Sequence, residues 1–244
     1  MDPSTEMSTL FVIIPARGGS KGIPRKNLTK LLGKTLIEYS LEAAAYVRDT
    51  LHSDTRIILS SDSHEILEYA NTVSADACLR PKELALDHSL TIDAIIHALE
   101  SIKTGSSEEG HVMLLQPTVP FRPEWELKDV LLTYWESITK DFNSLVSLAK
   151  IEAHHPFRLK RVLDSGECIS YIDLGFEDMR PRQSLPDCYI RSGSYYMSPL
   201  SRLVDCHSVL SSPTRAYIHK NVCPVNIDTL EDMIIAEYQL SFNK

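Results

Sequence analysis

A chain of 244 residues, 43% hydrophobic and 24% charged, is long enough to bury a full core, and its composition is that of a globular protein. A net charge of −8 argues against nonspecific nucleic-acid binding and leaves a small polyanion as the expected partner of its one local basic cluster, at residues 17–26. Five scattered cysteines without a Cys-x-x-Cys pair indicate neither a disulfide framework nor a zinc ribbon, and no apolar run reaches the roughly 20 residues of a membrane span. The polar first nine residues lack a basic, then apolar, leader pattern, so a soluble cytoplasmic protein with no membrane partner is expected.

The apolar run Phe11–Ile14 predicts a buried strand, and it feeds a turn that holds Gly18, Gly19 and Gly22 together with Arg17, Lys21, Arg25 and Lys26. Such a turn can present successive N–H groups and charge-assisted donors to a phosphate, with Asn27 adding a neutral hydrogen-bonding group. The alternative is a surface turn with solvated charges. It is not a Walker loop, because Leu28 stands where the first glycine before Gly33-Lys34-Thr35 belongs. Nor is it a dinucleotide fingerprint, because the glycine spacing differs and Pro24 interrupts the run.

Helical spacing of Leu36, Tyr39, Leu41, Ala43 and Val47 predicts a helix over 35–49, followed by a strand over 56–60 and a helix over 65–71. This is a doubly wound start with a mainly parallel sheet. A helix is expected from about His88 to Ser101, a strand from His111 into Gln116-Pro117-Thr118, a helix over 124–137 and a strand over 144–149. Residues 151–190 change texture, with short strand candidates and many exposed charges, and form a subdomain. Within it His154 and His155 are adjacent, so on a strand they face opposite ways and do not readily share one ion. Val225–Asp228 is expected as a last strand entering a C-terminal helix, with Thr229 and Asp232 as its capping box. Alternation then puts Asn226 and Asp228 on one face, and from the residues alone Asp228 reads as a helix cap.

Five stretches, in order, resemble the signatures of CMP-sialic acid synthetases (acylneuraminate cytidylyltransferases) and of the related legionaminic and pseudaminic acid enzymes. They are the loop 11–27, Arg80-Pro81 with its Leu-Ala segment, Leu114-Leu115-Gln116-Pro117-Thr118, Arg182-Gln183 with Leu185-Pro186, and Ile227-Asp228-Thr229. The resemblance implies a Rossmann-like three-layer α/β/α nucleotidyltransferase core over 1–150, a small β-rich dimerisation arm over 151–190, and a return to the core over 191–244. It implies transfer of a cytidylyl group from CTP to a nine-carbon nonulosonic acid, with magnesium or manganese, in a homodimer or a tetramer built from it.

Residue by residue, the resemblance implies catalytic roles for Arg17, Lys21 and Lys26, and nucleotide contacts by these with Ser20, Asn27, Arg80, Ser89 and Thr91. It implies acid contacts by Gln116, Arg182, Gln183, Ser192 and Tyr196, with Arg158 reaching a partner's site, and a metal at Asp228 and Asn226. Three departures stand out: Asn226 and Ser192 replace the aspartate and asparagine many members carry, and Arg158 replaces a lysine. The enzyme alternative is a Kdo cytidylyltransferase, whose members carry an Asn-Val-Gln-Gly-Asp-Glu-Pro type segment where this chain has Leu-Leu-Gln-Pro-Thr. The alternative from another class is a nucleotide-binding pseudoenzyme.

Overall fold

The computed structural model describes residues 8–102, 110–151, 153–220 and 224–242. The first strand, β1 (Leu10–Pro15), is buried almost end to end, as a six-residue run without a polar alternation requires. A two-stranded ribbon, β2 (Lys30–Leu31) and β3 (Lys34–Thr35), leads into α1 (Leu36–Tyr46). The Thr35 and Glu38 side chains form a capping box there, and the last turn widens into a π-helical segment, Val47–Leu51. Next come β4 (Thr55–Ser61), the short α2 (His64–Leu67), β5 (Asp76–Leu79), α3 (Thr91–Ser101), β6 (His111–Leu114), α4 (Glu124–Ile138) and β7 (Ser144–Lys150).

The arm contributes one hairpin, β8 (Lys160–Val162) with β9 (Cys168–Ser170). The chain re-enters the core at β10 (Tyr189–Pro199), then runs through α5 (Leu200–Cys206), β11 (Thr214–Ile218) and α6 (Leu230–Phe242). Val225–Asp228 does not form the expected strand. Only the Ile227 amide is tied to the neighbouring backbone, donating to the Thr118 carbonyl at 2.7 Å. The alternation nonetheless persists, with Ile227 buried between exposed Asn226 and Asp228.

Seven strands make one sheet in the order β11-β7-β10-β6-β1-β4-β5. All its pairings are parallel except those of β10, which runs antiparallel between β6 and β7. Helices α1 and α4 cover one face through Ile37, Leu41, Leu127 and Val130. The other face is covered by α3 and α5 through Ile92, Ile95, Leu99 and Leu203. This is the three-layer α/β/α arrangement anticipated from the sequence. From β1 the chain winds outward to β4 and β5, then returns to the other side of β1 to lay down β6. The topological switch therefore falls between β1 and β6, where the carboxyl ends of the strands leave a crevice. Among the described residues no helix is long and apolar enough to cross a membrane.

Candidate active site

The crevice at the switch is a cleft of about 310 Å³. Its walls come from the loop after β1 (Arg17, Gly19, Ser20, Lys26, Asn27), from Arg80 after β5, from Ser89 and Thr91 at the start of α3, and from Gln116 after β6. These are nucleotide and acid residues expected from the sequence, and parallel register is what gathers them: each follows the carboxyl end of a strand or precedes a helix.

The loop is held in shape by its own polar groups. The Gly18 amide donates to Asp62 Oδ1 at 2.8 Å, and Asn27, which is buried, donates through Nδ2 to the Arg17 carbonyl at 2.9 Å. Gly22 passes so close to the far end of the chain that a Cβ on it would lie 2.4 Å from the Asp228 carbonyl oxygen, so any other residue would push the loop away. Lys26 fastens the same junction. Its Nζ donates to the Ile227 carbonyl at 2.9 Å and pairs with Asp228 Oδ1 at 2.8 Å.

Arg80 is buried at 7% exposure, with its guanidinium donating to Ser60 Oγ and to the Ser60 carbonyl. Desolvation lowers its pKa, and the facing Asp62 works against that shift. Ser89 spends its hydroxyl on the turn itself, accepting from the Leu86 amide and donating to the Glu83 carbonyl. One member of the cleft had no role in the sequence reading. Asp87, at the lip, takes Lys21 Nζ at 2.8 Å and Arg17 Nη1 at 2.9 Å, and these two donors hold its carboxyl below the usual range. The carboxylate occupies the cations a phosphate would use. Its only sequence signal was an acidic residue in the turn before α3.

A second cavity of about 330 Å³ continues from the first, sharing Thr91 and Gln116 and adding Arg191, Tyr196 and the His207–Leu210 segment. Tyr196 thus lines the cavity that adjoins the cleft, whereas Arg191 and residues 207–210 were given no site role because nothing in their local pattern is distinctive. A larger cavity, about 580 Å³, lies between α1 and the start of α4 and carries none of the loop cations. Arg122 runs between the two regions. Fully buried, it donates to the carbonyls of Gln116 and Ser194 and to Ser40 Oγ, and desolvation pulls its pKa down to about 10. It ties the loop after β6, strand β10 and helix α1 together.

The structure does not bring every expected residue together. Ser192 is buried with its hydroxyl turned into the sheet, toward Ser147 and His219. Arg158, Arg182 and Gln183 lie exposed on the arm and line neither cavity of the cleft, with Arg158 donating to the Arg180 carbonyl. Asn226 and Asp228 flank Ile227 on the exposed side, next to the loop. Among the described residues no group of three His, Cys, Asp or Glu side chains could hold a metal by itself. The single carboxylate of Asp228, with the Asn226 amide, does fit the habit of magnesium, which takes one or two protein oxygens and completes its shell with phosphate and water.

Comparison with known proteins agrees with this geometry. The cytidylyltransferase family profile matches residues 11–172. The chain is 31% identical over 229 residues to an N-acylneuraminate cytidylyltransferase of Escherichia coli, covering 93% of this chain but about half the length of that relative. It is 29% identical to the pseudaminic acid cytidylyltransferase of Campylobacter jejuni over 95% of this chain and 96% of the relative. It is also 29% identical to the CMP-N,N'-diacetyllegionaminic acid synthase of Legionella pneumophila, over 96% and 97%. The fold is similar to that of a CMP:2-keto-3-deoxy-manno-octonic acid synthetase solved with CTP, with a TM-score of 0.68 at 15% identity, covering 97% of this chain and all of that one. With a profile spanning most of its length laid over a loop, Arg80 and Gln116 that share one cleft, this chain belongs to the cytidylyltransferase family.

Proposed function

We propose that the protein activates a nine-carbon 2-keto-3-deoxy sugar acid with CTP, giving the CMP-sugar acid and pyrophosphate. One observation carries the reading: Arg17, Lys26, Arg80, Thr91 and Gln116 line a single cleft at the switch point, continuous with a second cavity large enough for an acceptor. In the reaction the acid's anomeric 2-hydroxyl oxygen forms a bond to the α-phosphorus of CTP. The bond from that phosphorus to the bridging oxygen breaks, pyrophosphate leaves with the electron pair, and the hydroxyl proton passes to solvent.

Charge gathers on phosphoryl oxygens, so rate enhancement comes from positioning and from fixed donors in the cleft, with no covalent intermediate. Arg17 and Lys21 exchange Asp87 for the triphosphate, and Lys26 meets its charge from the far side of the loop. Arg80 and the start of α3 face the base, while Gln116 and Tyr196 orient the acid. Asp228 and Asn226 would hold magnesium or manganese, which when bound neutralises the leaving pyrophosphate.

The acid's carboxylate is assigned to Arg182, with Gln183 and Arg158 beside it, supplied by the arm of a second copy in a homodimer. Support for that arrangement is that these residues sit away from the cleft of their own chain, on an arm exposing Val162, Tyr171, Phe176 and Met179 at 61–82%.

The test is pyrophosphate release from CTP and magnesium across sialic, legionaminic, pseudaminic and Kdo acids, with UTP and ATP as controls. Release with a nine-carbon acid and CTP alone is the expected result. Release with Kdo alone, or CTP binding without release in any arm, would overturn the reading.

A further inference from the structure

Outside the cleft, the described core holds one buried run of ionisable and hydroxyl groups that the reaction does not use. Glu126, in the first turn of α4, and His219, just past β11, have side chains only 2% exposed, and His219 Nδ1 lies 2.7 Å from Glu126 Oε1. The other ring nitrogen, Nε2, lies 2.8 Å from Ser192 Oγ, and Ser192 Oγ is 2.7 Å from Ser147 Oγ. A carboxylate only accepts, so Nδ1 presents a hydrogen to Glu126, and Nε2 shares the next hydrogen bond of the run with the Ser192 hydroxyl. Tyr195, three residues after Ser192, donates its hydroxyl to Glu126 Oε2 at 3.1 Å and its amide to Ser147 Oγ at 2.9 Å. Glu, His and Ser in this order match a nucleophile triad in chemistry. Yet Ser192 is 6% exposed and its oxygen is enclosed by Ser147, His219 and the Ser194 amide, so no carbonyl can reach it.

What the run does hold is a bulge. The register of β10 against β7 shifts between Arg191 and Tyr196, so residues 192–195 bow out of the ladder. At the crest, Gly193 has φ +84° and a Cβ there would stand 3.2 Å from Gln116 Oε1 and 3.3 Å from Val119 Cγ2. The bulge is therefore the backing on which the Gln116 side chain rests, and Tyr196, lining the acceptor cavity, is where the ladder resumes.

We propose that Glu126 and His219 are positioning residues for acid recognition: they draw the Ser192 hydroxyl into the sheet and fix the 192–195 bulge against Gln116. Position 192 then offers the acid a backbone contour and no side-chain hydrogen bond. This deepens the function proposed above and rests on it, because the site being shaped is the acceptor site of that reaction.

The experiment is a double-mutant cycle with Ser192→Ala and His219→Gln, read as KM for the acid, KM for CTP and kcat. His219→Gln keeps a donor for Glu126, which avoids stranding a buried carboxylate. Each single change is expected to raise the acid KM roughly tenfold, about the worth of one hydrogen bond, and to leave the CTP KM unchanged. The double change is expected to do no more than the larger single one. Effects on the acid KM that multiply would mean that Ser192 contacts the acid directly, and an unaltered acid KM in His219→Gln would remove the role altogether; either overturns the inference.

If His219→Gln fails to fold, imidazole ¹⁵N shifts of the wild-type protein decide. Nδ1 protonated and Nε2 unprotonated, with both shifts unmoved when the acid saturates the enzyme, supports the inlaid hydroxyl, and an Nε2 shift on saturation refutes it. Wild-type protein that turns over no acid refutes the underlying reaction and with it this role. Turnover with unaltered variants refutes the positioning role alone.

Discussion

The nucleotide cleft and the arm are built on opposite terms. In the cleft, parallel strands in fixed register deliver Arg17, Lys26, Arg80 and Gln116 to one crevice of a single chain, and the last three are each pinned by a partner within the fold. The arm has one six-residue hairpin, leaves Val162 69% and Met179 82% exposed, and carries Arg158 and Arg182 where they line neither cavity. A sheet specifies a site from within. An arm with little core of its own specifies one only against another surface.

The comparison breaks most readily at Lys26. Lys26→Ala removes the donor that ties the loop to Asp228, and turnover is expected to fall on the order of 10²–10³-fold while the folded state persists by circular dichroism. Activity within tenfold of wild type would mean that the cleft is not where charge is stabilised.

At the amino end of the central strand β6, burial holds His111 down at about 4, against the Tyr134 hydroxyl at 2.6 Å. The unfolded chain binds this proton below about pH 6.5 and the folded one does not until about 4, so stability is fully present above 6.5 and is lost as pH falls through that window. The expected loss is about 3 kcal/mol by pH 4. Denaturant melts from pH 7 to 4 measure it, and His111→Gln should flatten that part of the profile.

For the arm, Arg182→Ala should raise the KM for the acid on the order of tenfold and leave CTP binding intact. Mixing Arg182→Ala with Lys26→Ala subunits sharpens the contrast. If the arm serves a second copy, random re-pairing restores about a quarter of the sites, because half the dimers are mixed and each has one intact site. No recovery on mixing would put Arg182 to work in its own chain.

The smallest effect belongs to the lip. Asp87→Asn stops a carboxylate from competing for Arg17 and Lys21, and pyrophosphate binding measured by calorimetry should tighten about threefold, as expected for an exposed pair. Weaker binding would instead mean that Asp87 holds the two cations in place for the nucleotide.

Much of the cleft was legible because its signals are local. Three glycines and four cations after an apolar strand need only a short stretch of chain, and Gln116-Pro117 marks a strand end by itself. Strands β1, β4, β6 and β7 followed from alternating strand and helix periods, whereas β5, β10 and β11 were not anticipated and the insertion of β10 antiparallel between β6 and β7 left no local trace. Val225–Asp228 read as a strand because its pattern alternates, but alternation reports sidedness and not a ladder, and here one backbone bond and side-chain bonds from Lys26, Gln239 and Asp232 do the holding. Ser192 stood out as a short residue. What it is short for, an imidazole 27 positions later, lay beyond any window.

The junction of Gly22 and Lys26 with residues 227 and 228 spans some two hundred positions of sequence. During synthesis the basic loop emerges some two hundred residues before those that clasp it. The loop's finished shape therefore waits on a contact of very long sequence separation, which forms only once the sheet has brought the two ends of it together.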